Sequence, residues 1–263
     1  MNISTIIGFS MALFVFVVGL WLSSDDLKIF LDYPSLFIVT GGTLAATAIS
    51  FEVTRLMELL KIFFRRLVFN KRINYMTTIE EVMEAAEKYR KGEAISSIIN
   101  SVNDEFFKEC LELYGSDVLE KEEFLDIIYD RADRILESYG EEANKIKSIS
   151  KFPPAFGMMG TTIGMIVLLA NLGGEDAIKM IGPAMGVCLI TTLYGVAIAN
   201  LFFIPFAENL SANNKEIYLK KMIIIEGVSL LIEKTNPIIV GIKLNSFLKP
   251  SERMDKKLES RTV

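Results

Sequence analysis

The chain has 263 residues, 51% of them hydrophobic and none of them histidine, and its mean hydropathy is +0.37. A soluble domain of this length rarely has such a profile, which therefore indicates a protein of the lipid bilayer. The net charge of −5 comes without a basic stripe that could neutralise phosphates, so no nucleic-acid partner is expected.

Four charge-free runs are long enough to cross a bilayer as helices, which requires about 20 mainly apolar residues. They cover residues 3–23, 33–51, 152–174 and 180–207. Short connections join the first two runs, at 24–32, and the last two, at 175–179. The sequence therefore predicts an all-α membrane protein whose four transmembrane helices form two hairpins.

Basic residues indicate which side of the membrane the rest of the chain occupies. Six of them follow the second run closely: Arg55, Lys61, Arg65, Arg66, Lys71 and Arg72. Each hairpin connection, in contrast, has a single lysine beside acidic residues. Because cytoplasmic flanks collect Lys and Arg, both termini and the segment between the second and third runs are predicted to be cytoplasmic.

The two polar segments are also predicted to be helical. Apolar residues between the second and third runs recur at helical spacing, and from Lys121 onward they indicate one long amphipathic helix that continues into the third run. After the fourth run, 208–234 has a helical pattern that Asn236 and Pro237 interrupt, because a residue before proline avoids the helical region. A short helix should follow, and then a disordered charged tail from 251.

These boundaries divide the chain into four predicted parts. Residues 1–51 are the first transmembrane hairpin, and 52–151 are a helical cytoplasmic domain. Residues 152–207 are the second transmembrane hairpin, and 208–263 are a cytoplasmic C-terminal helix and tail.

No Asp, Glu, Lys, Arg or His occurs in the four apolar runs. Ion pathways through bilayers normally use such residues, so if this protein helps to move ions, the carboxylate must come from another chain. No nucleophile with a base and no phosphate-binding loop is visible, so no enzyme is expected. Cys110 and Cys188 lack CxxC spacing and histidine company, so no metal site and no resident cofactor are expected either.

The third and fourth runs contain small residues at helical spacing that would let helices approach closely. They are Gly157, Gly160, Gly164, Gly182, Gly186, Gly195 and Ala199. Two threonine pairs, Thr161–Thr162 and Thr191–Thr192, lie among them. Their hydroxyls could bind an ion, or they could bond back to carbonyls of their own helices, and the spacing leaves both readings open.

Several motifs, in this order and spacing, resemble the MotA/PomA family of flagellar motor stator subunits. They are FIVTGGT at 37–43, PPAFGMMGTTIG at 153–164, IGPAMG at 181–186, LITTLYG at 189–195, FFIP at 202–205 and the late Asn236–Pro237. The sibling TolQ/ExbB family shares the ion-driven architecture but usually has three spans and an outward N-terminus. An energy-transducing channel subunit of that kind is therefore the alternative.

The resemblance implies a multi-pass subunit of the bacterial inner membrane. Five copies would surround the single helices of two MotB/PomB-type subunits, whose aspartate accepts the coupling ion. Ion flow would then drive torque on the rotor protein FliG, without any cofactor other than the transported Na⁺ or H⁺.

Roles for individual residues follow from the same resemblance. Pro154 and Pro205 would couple ion binding to conformational change, and Thr161 and Thr192 would lie near the ion route. Sodium-type members tend to have threonine at both positions, so Na⁺ is favoured over H⁺. Asp32 could attract cations near the periplasmic mouth, although capping the helix beside Pro34 explains this residue equally well.

Arg90 and Lys91 match the family's positive pair at the rotor contact. The acidic counterpart falls, by counting, at Ile98, which cannot form a charge pair. Glu93, Asp104 and Glu105 are the candidates that could replace it.

Overall fold

The computed structural model describes residues 3–52, 73–172 and 177–253. The basic residues from Arg55 to Arg72 and the tail beyond 253 lie outside the described residues, so the predictions that depend on them stay predictions. Within the described part the secondary structure is helical throughout, without strands. This confirms the all-α class.

The described helices follow one another along the chain with short connections. In order they are α1 (Ile3–Ser23), α2 (Tyr33–Leu36), α3 (Gly42–Ser50), α4 (Tyr75–Arg90), α5 (Ile95–Ser101), α6 (Glu105–Gly115), α7 (Lys121–Ile149), α8 (Phe152–Asn171), α9 (Ala177–Ile198), α10 (Ile204–Ile232) and α11 (Pro237–Asn245). Short 3-10 turns cover Leu27–Phe30 and Pro250–Glu252, and π-helical segments cover Phe37–Gly41 and Ala199–Phe203.

Four helical stretches are long and apolar enough to cross a membrane, as predicted: Ile6–Ser23, Leu27–Ser50 and the apolar parts of Lys121–Asn171 and Ile181–Ile232. The last two continue into polar sequence. The prediction of one helix continuing from Lys121 into the third run is wrong at 150–151, where a turn separates α7 from α8. Pro153 and Pro154 occupy the first turn of α8 and have no N–H to extend the preceding helix. The fourth stretch has no such break at 207, because the π-helical segment leads directly into α10.

Contacts divide the chain into two compact units. The first lies within residues 1–72 and 141–211 and contains the apolar runs, and we call it the membrane unit. The second lies within 73–140 and 212–263, and we call it the polar unit. The boundaries predicted at 51, 151 and 207 follow the expected membrane surface rather than contacts, and they stay predictions.

In the membrane unit, α8 and α9 pack closely along a seam of glycines. A Cβ added to Gly195 would lie 2.5 Å from the Pro153 carbonyl oxygen, and one added to Gly164 would lie 2.6 Å from Cys188 Sγ. Gly157 similarly approaches the backbone of Thr191 and Thr192. By contrast, a Cβ on Gly182 or Gly186 would meet none of the described residues of this chain within 4 Å, so these two glycines make no close approach to another described helix of the chain.

The second apolar stretch packs against this pair through residues spaced four apart. Ser35, Val39, Thr43 and Thr47 are all buried, and Gly42 lies against the ring of Phe156. Helix α1 contributes less to the packing, since its apolar window has no buried residue. Its Phe9 ring contacts Phe202 edge to face, with 5.1 Å between centroids.

The polar unit has its own hydrophobic core. Fully buried side chains from five helices meet in it: Ile79, Phe107, Phe124, Ile224 and Leu244. Polar side chains cap α4, α6 and α11, which contribute to this core. Asn236, for example, accepts the N–H of Ile238 at the start of α11, where the sequence predicted a new helix.

The glycine seam predicts a position-specific cost for a single methyl group. Gly195→Ala should destabilise the protein by about 1–3 kcal/mol, because the added Cβ meets backbone that cannot move aside cheaply. Thermal unfolding of the purified protein in detergent measures this loss. Gly186→Ala adds the same methyl group where no described residue of the chain lies within 4 Å, and it serves as the control. Equal melting temperatures for the two variants would contradict the assigned seam.

Candidate functional site

The two threonines predicted to lie near the ion route meet between α8 and α9. Thr161 Oγ1 and Thr192 Oγ1 are 2.6 Å apart, although 31 residues separate them in sequence. Thr161 is half-buried and Thr192 is exposed. Two hydroxyl oxygens therefore adjoin at the open edge of the helix pair.

Carbonyl groups surround the same hydroxyls. Cys188 O lies 2.9 Å from Thr161 Oγ1 and 3.2 Å from Thr192 Oγ1, and Gly157 O lies 3.1 Å from Thr161 Oγ1. Each hydroxyl has one proton to donate and two lone pairs. One hydroxyl donates its proton to the other, which donates to a carbonyl, and the remaining oxygen lone pairs are available to a cation. The sequence left open whether the threonine hydroxyls bind an ion or bond to helix carbonyls, and this geometry allows both.

Buried neighbours set the register that brings the two hydroxyls together. Thr191 is fully buried, its side chain lies against Gly160, and its hydroxyl donates to Val187 O at 2.6 Å. Cys188 Sγ donates to Thr161 O across the helix pair at 3.3 Å. Sequence analysis gave Cys188 no role. Its position one turn before Thr192 is the one sequence feature that could have indicated its carbonyl as a neighbour of the Thr192 hydroxyl.

Asp32 acts as the N-cap of α2. Its Oδ2 accepts the N–H of Ser35 at 2.8 Å and also the Ser35 hydroxyl. The structure thus shows the capping role that the sequence offered, and cation attraction by Asp32 stays a prediction. The backbone N–H of Asp32 also points to Tyr194 Oη on α9, at 3.4 Å. Tyr194 is a second residue that sequence analysis missed.

The two prolines occupy different environments. Pro154 is half-buried in the first turn of α8, where its Cα would lie 3.2 Å from a Cβ on Gly195. Pro205 is exposed and follows the π-helical segment Ala199–Phe203. A wider π turn accommodates the missing proline N–H without breaking the helix. The structure does not test their predicted coupling role.

In the polar unit, Arg90 is the last residue of α4, and Gly92, with φ +89°, lies just beyond its end. Arg90 is exposed and makes no ion pair within the described part of the chain. Lys91 Nζ, in contrast, lies 2.6 Å from Glu87 Oε1, and this hydrogen bond raises the pKa of the Lys91 ammonium. Arg90 is therefore the more available of the two cations.

The acidic counterpart of Arg90 remains a prediction, but the structure distinguishes the candidates. Ile98 is fully buried in the core, as its apolar side chain requires. Asp104 is engaged, because it caps α6 at the N–H of Phe107 and pairs with Lys220. Glu93 and Glu105 are exposed.

A groove of about 820 Å³ opens on the polar unit near Asp104. Its charged lining consists of Glu80, Glu81, Glu84, Asp104, Glu105, Lys220 and Lys221. Lys221 lies with Nζ 3.7 Å from the centroid of the Phe106 ring, and burial lowers the pKa of its ammonium. The groove is thus acidic on balance.

The fold and the site define a multi-pass membrane protein with hydroxyl groups, and no carboxylate, in its apolar runs. Residues 98–222 match the MotA/TolQ/ExbB proton channel family. The chain is 34% identical to Motility protein A of Borreliella burgdorferi, with 96% of each chain covered. It is 27% identical to the chemotaxis protein PomA of Vibrio alginolyticus, over 96% of this chain and 98% of that one.

The fold is also that of a solved structure, the flagellar MotAB stator complex from Bacillus subtilis. The TM-score is 0.85 at 23% identity, with 96% of this chain and 98% of that chain covered. The chain belongs to the MotA/PomA family of flagellar motor stator subunits, within the MotA/TolQ/ExbB proton channel family. The motor assignment is thereby favoured over the TolQ/ExbB alternative, and the prediction that the protein is not an enzyme is confirmed.

The threonine contact predicts energetic coupling across the helix pair. Thr161→Val and Thr192→Val should each lower stability, and the double variant should lose less than their sum by about 0.5–1.5 kcal/mol, because either change already breaks the shared bond. Unfolding of the purified protein in detergent measures the cycle. Thr162→Val is the control, because its hydroxyl bonds to Met158 O of its own helix. Strict additivity of the 161–192 pair would argue against the contact.

Proposed function

We propose that this subunit, together with a MotB/PomB-type single-span partner, couples sodium flow across the inner membrane to torque on the rotor. The observation that carries the proposal is the Thr161–Thr192 hydroxyl pair at the exposed edge of α8 and α9, in apolar runs that contain no Asp, Glu, Lys, Arg or His. This site offers ligands to a cation but no group that can neutralise it.

The need for a partner follows from the energetics of ions in hydrocarbon. An ion in the bilayer requires compensating charge or a nearly complete shell of oxygen ligands. Two hydroxyl oxygens fall well short of such a shell, so a companion chain must supply the carboxylate. The similar structure from Bacillus subtilis is a MotAB stator complex, and this likeness supports a MotB-type chain in the role.

Exposed apolar side chains support an assembly of several copies around that partner. Met158 and Ile166 on α8 and Leu189 on α9 are each more than half exposed in the isolated chain. These side chains require lipid or protein contacts in the membrane. Five copies around two partner helices, as in the family, would provide them.

Sodium is proposed because both threonines are present and their oxygens adjoin. Hydroxyl oxygens replace water around a dehydrated sodium ion, whereas a proton arriving along water needs no such ligands. Asp32, near the outer end of the route, would raise the local cation concentration. The driving force is about 2.3 kcal/mol per elementary charge for each 100 mV of membrane potential.

Coupling to movement is assigned to Pro154 and Pro205. Pro154 touches the seam at Gly195, three residues after Thr192, so a change at the hydroxyl pair reaches it through one helical turn. With both termini in the cytoplasm, the polar unit lies on the rotor side. There Arg90, with Lys91 beside it, would contact the rotor protein FliG.

Charge reversal tests the rotor contact. Arg90→Glu, expressed with the partner in a strain that lacks its own stators, should reduce swimming at least tenfold while leaving the amount of protein in the membrane unchanged. The physical reason is that an exposed cation is replaced by an anion that repels the acidic groups on the rotor. Arg134→Glu reverses a similarly exposed arginine on α7 and should swim normally. Normal motility of Arg90→Glu would exclude this residue from the contact.

A sodium titration tests the ion. At fixed membrane potential, swimming speed of the complemented strain should rise with external Na⁺ and saturate, and Thr161→Val should raise the half-saturating concentration because one ligand is lost. A proton uncoupler is the control, since a sodium-driven motor keeps turning while the sodium gradient lasts. Speeds that do not change with sodium would overturn the ion assignment and leave the motor function intact.

A further inference from the structure

Tyr194 ties the connection between the first two apolar runs to the helix that carries Thr192. Its phenol donates a hydrogen bond to the Phe30 carbonyl and lies 3.4 Å from the backbone nitrogen of Asp32, whose N–H points towards it. A phenol has one proton and can also accept, so one hydroxyl can serve both groups. More than 160 residues separate the partners in sequence.

This double contact fixes the backbone on both sides of Leu31. Asp32 has extended dihedrals, φ −117° and ψ 111°, which an N-cap residue requires. Its Oδ2 is fully engaged by the N–H and hydroxyl of Ser35, which is itself completely buried. Asp32 Oδ1 has no hydrogen-bond partner among the residues that the structure describes. One carboxylate oxygen is thus held in place while the other stays available.

A second contact aligns the same segment with α9. Ser35 Oγ lies 3.5 Å from Val187 O, seven residues before Tyr194 and therefore on the same face of the helix. Thr191 lies between them on this face and is fully buried, while Thr192 occupies the neighbouring face towards Thr161. Helix α9, which carries Thr192 of the hydroxyl pair, is therefore also the helix that positions Asp32.

We propose that Tyr194 is a positioning residue for Asp32, and that it sets how strongly the outer end of the route attracts the coupling cation. The inference rests on the proposed ion-coupling function. Without the phenol, the backbone at 30–32 loses both of its hydrogen bonds to Tyr194. The capped carboxylate is then held to α9 only through the long contact of Ser35 Oγ with Val187 O, so its place at the end of the route is less fixed. Cation attraction should weaken while the later steps of the cycle, at the hydroxyl pair, continue.

Tyr194→Phe removes only the hydroxyl oxygen and tests this role. In the stator-free strain, complemented with this chain and its partner, swimming speed is measured against external Na⁺, or against external H⁺ if the unsubstituted chain does not respond to Na⁺. The half-saturating concentration should rise about threefold to tenfold, the worth of one hydrogen bond, while speed at saturation changes less than about twofold. Tyr218→Phe is the matched control, because its phenol bonds to Asp133 in the polar unit at 2.8 Å.

A double substitution separates positioning from a general structural effect. If Tyr194 acts through Asp32, Tyr194→Phe should cause no further shift in an Asp32→Asn background. An equal shift in both backgrounds, an unchanged half-saturating concentration, or a loss of speed at every concentration would each overturn the proposal. If the unsubstituted chain with its partner does not restore swimming, the proposed function itself fails and the inference falls with it.

Discussion

The cost of charge in hydrocarbon is the constraint from which the membrane unit follows. Its four apolar runs contain no Asp, Glu, Lys, Arg or His, so their helices can insert without paired charges or water-filled defects. The same property leaves the chain unable to neutralise a cation by itself. Insertion and ion transfer thus place opposite demands on the sequence, and dividing the two tasks between different polypeptides satisfies both.

Close packing is what turns this apolar bundle into a site. The glycines at 157, 160, 164 and 195 bring α8 and α9 together until backbone meets backbone. Only at this separation can the hydroxyls of Thr161 and Thr192 touch and share the carbonyl of Cys188. Larger side chains at the seam would push the oxygens apart. The geometry of the hydroxyl pair therefore depends on the small residues of the glycine seam.

The helices were predictable because their signals are local. Apolar run length gave the four membrane stretches, and Asn236–Pro237 marked the start of α11 within a residue. The hydroxyl pair was predicted only as two separate residues near a route, through family resemblance. Its contact depends on the rotation of one helix against another, which no local pattern encodes. The hydrogen bonds of Tyr194 to residues 30–32 were not predicted for the same reason, since the sequence around a single tyrosine in an apolar run does not indicate its partner.

The polar unit shows a different limit. The sequence correctly predicted helices there, yet it did not show which carboxylates are already committed. From the sequence, Asp104 and Glu93 were equal candidates for the acidic counterpart of Arg90. The structure shows that Asp104 already caps α6 and pairs with Lys220. Burial of Ile98, on the other hand, explains why an acid is absent at that position: a charge there would face the interior of the core.

The π-helical segment Ala199–Phe203 changes how positions along the fourth stretch relate to one another. A π turn contains one residue more than an α turn, and that extra residue rotates the preceding part of the helix by about 100° relative to the part after it. Counting in threes and fours from Thr192 therefore does not identify the residues below Pro205 that share its face. A single extra residue in this segment therefore changes which side chains share a helix face before and after it, so the sequence on each side can vary its exposed face independently.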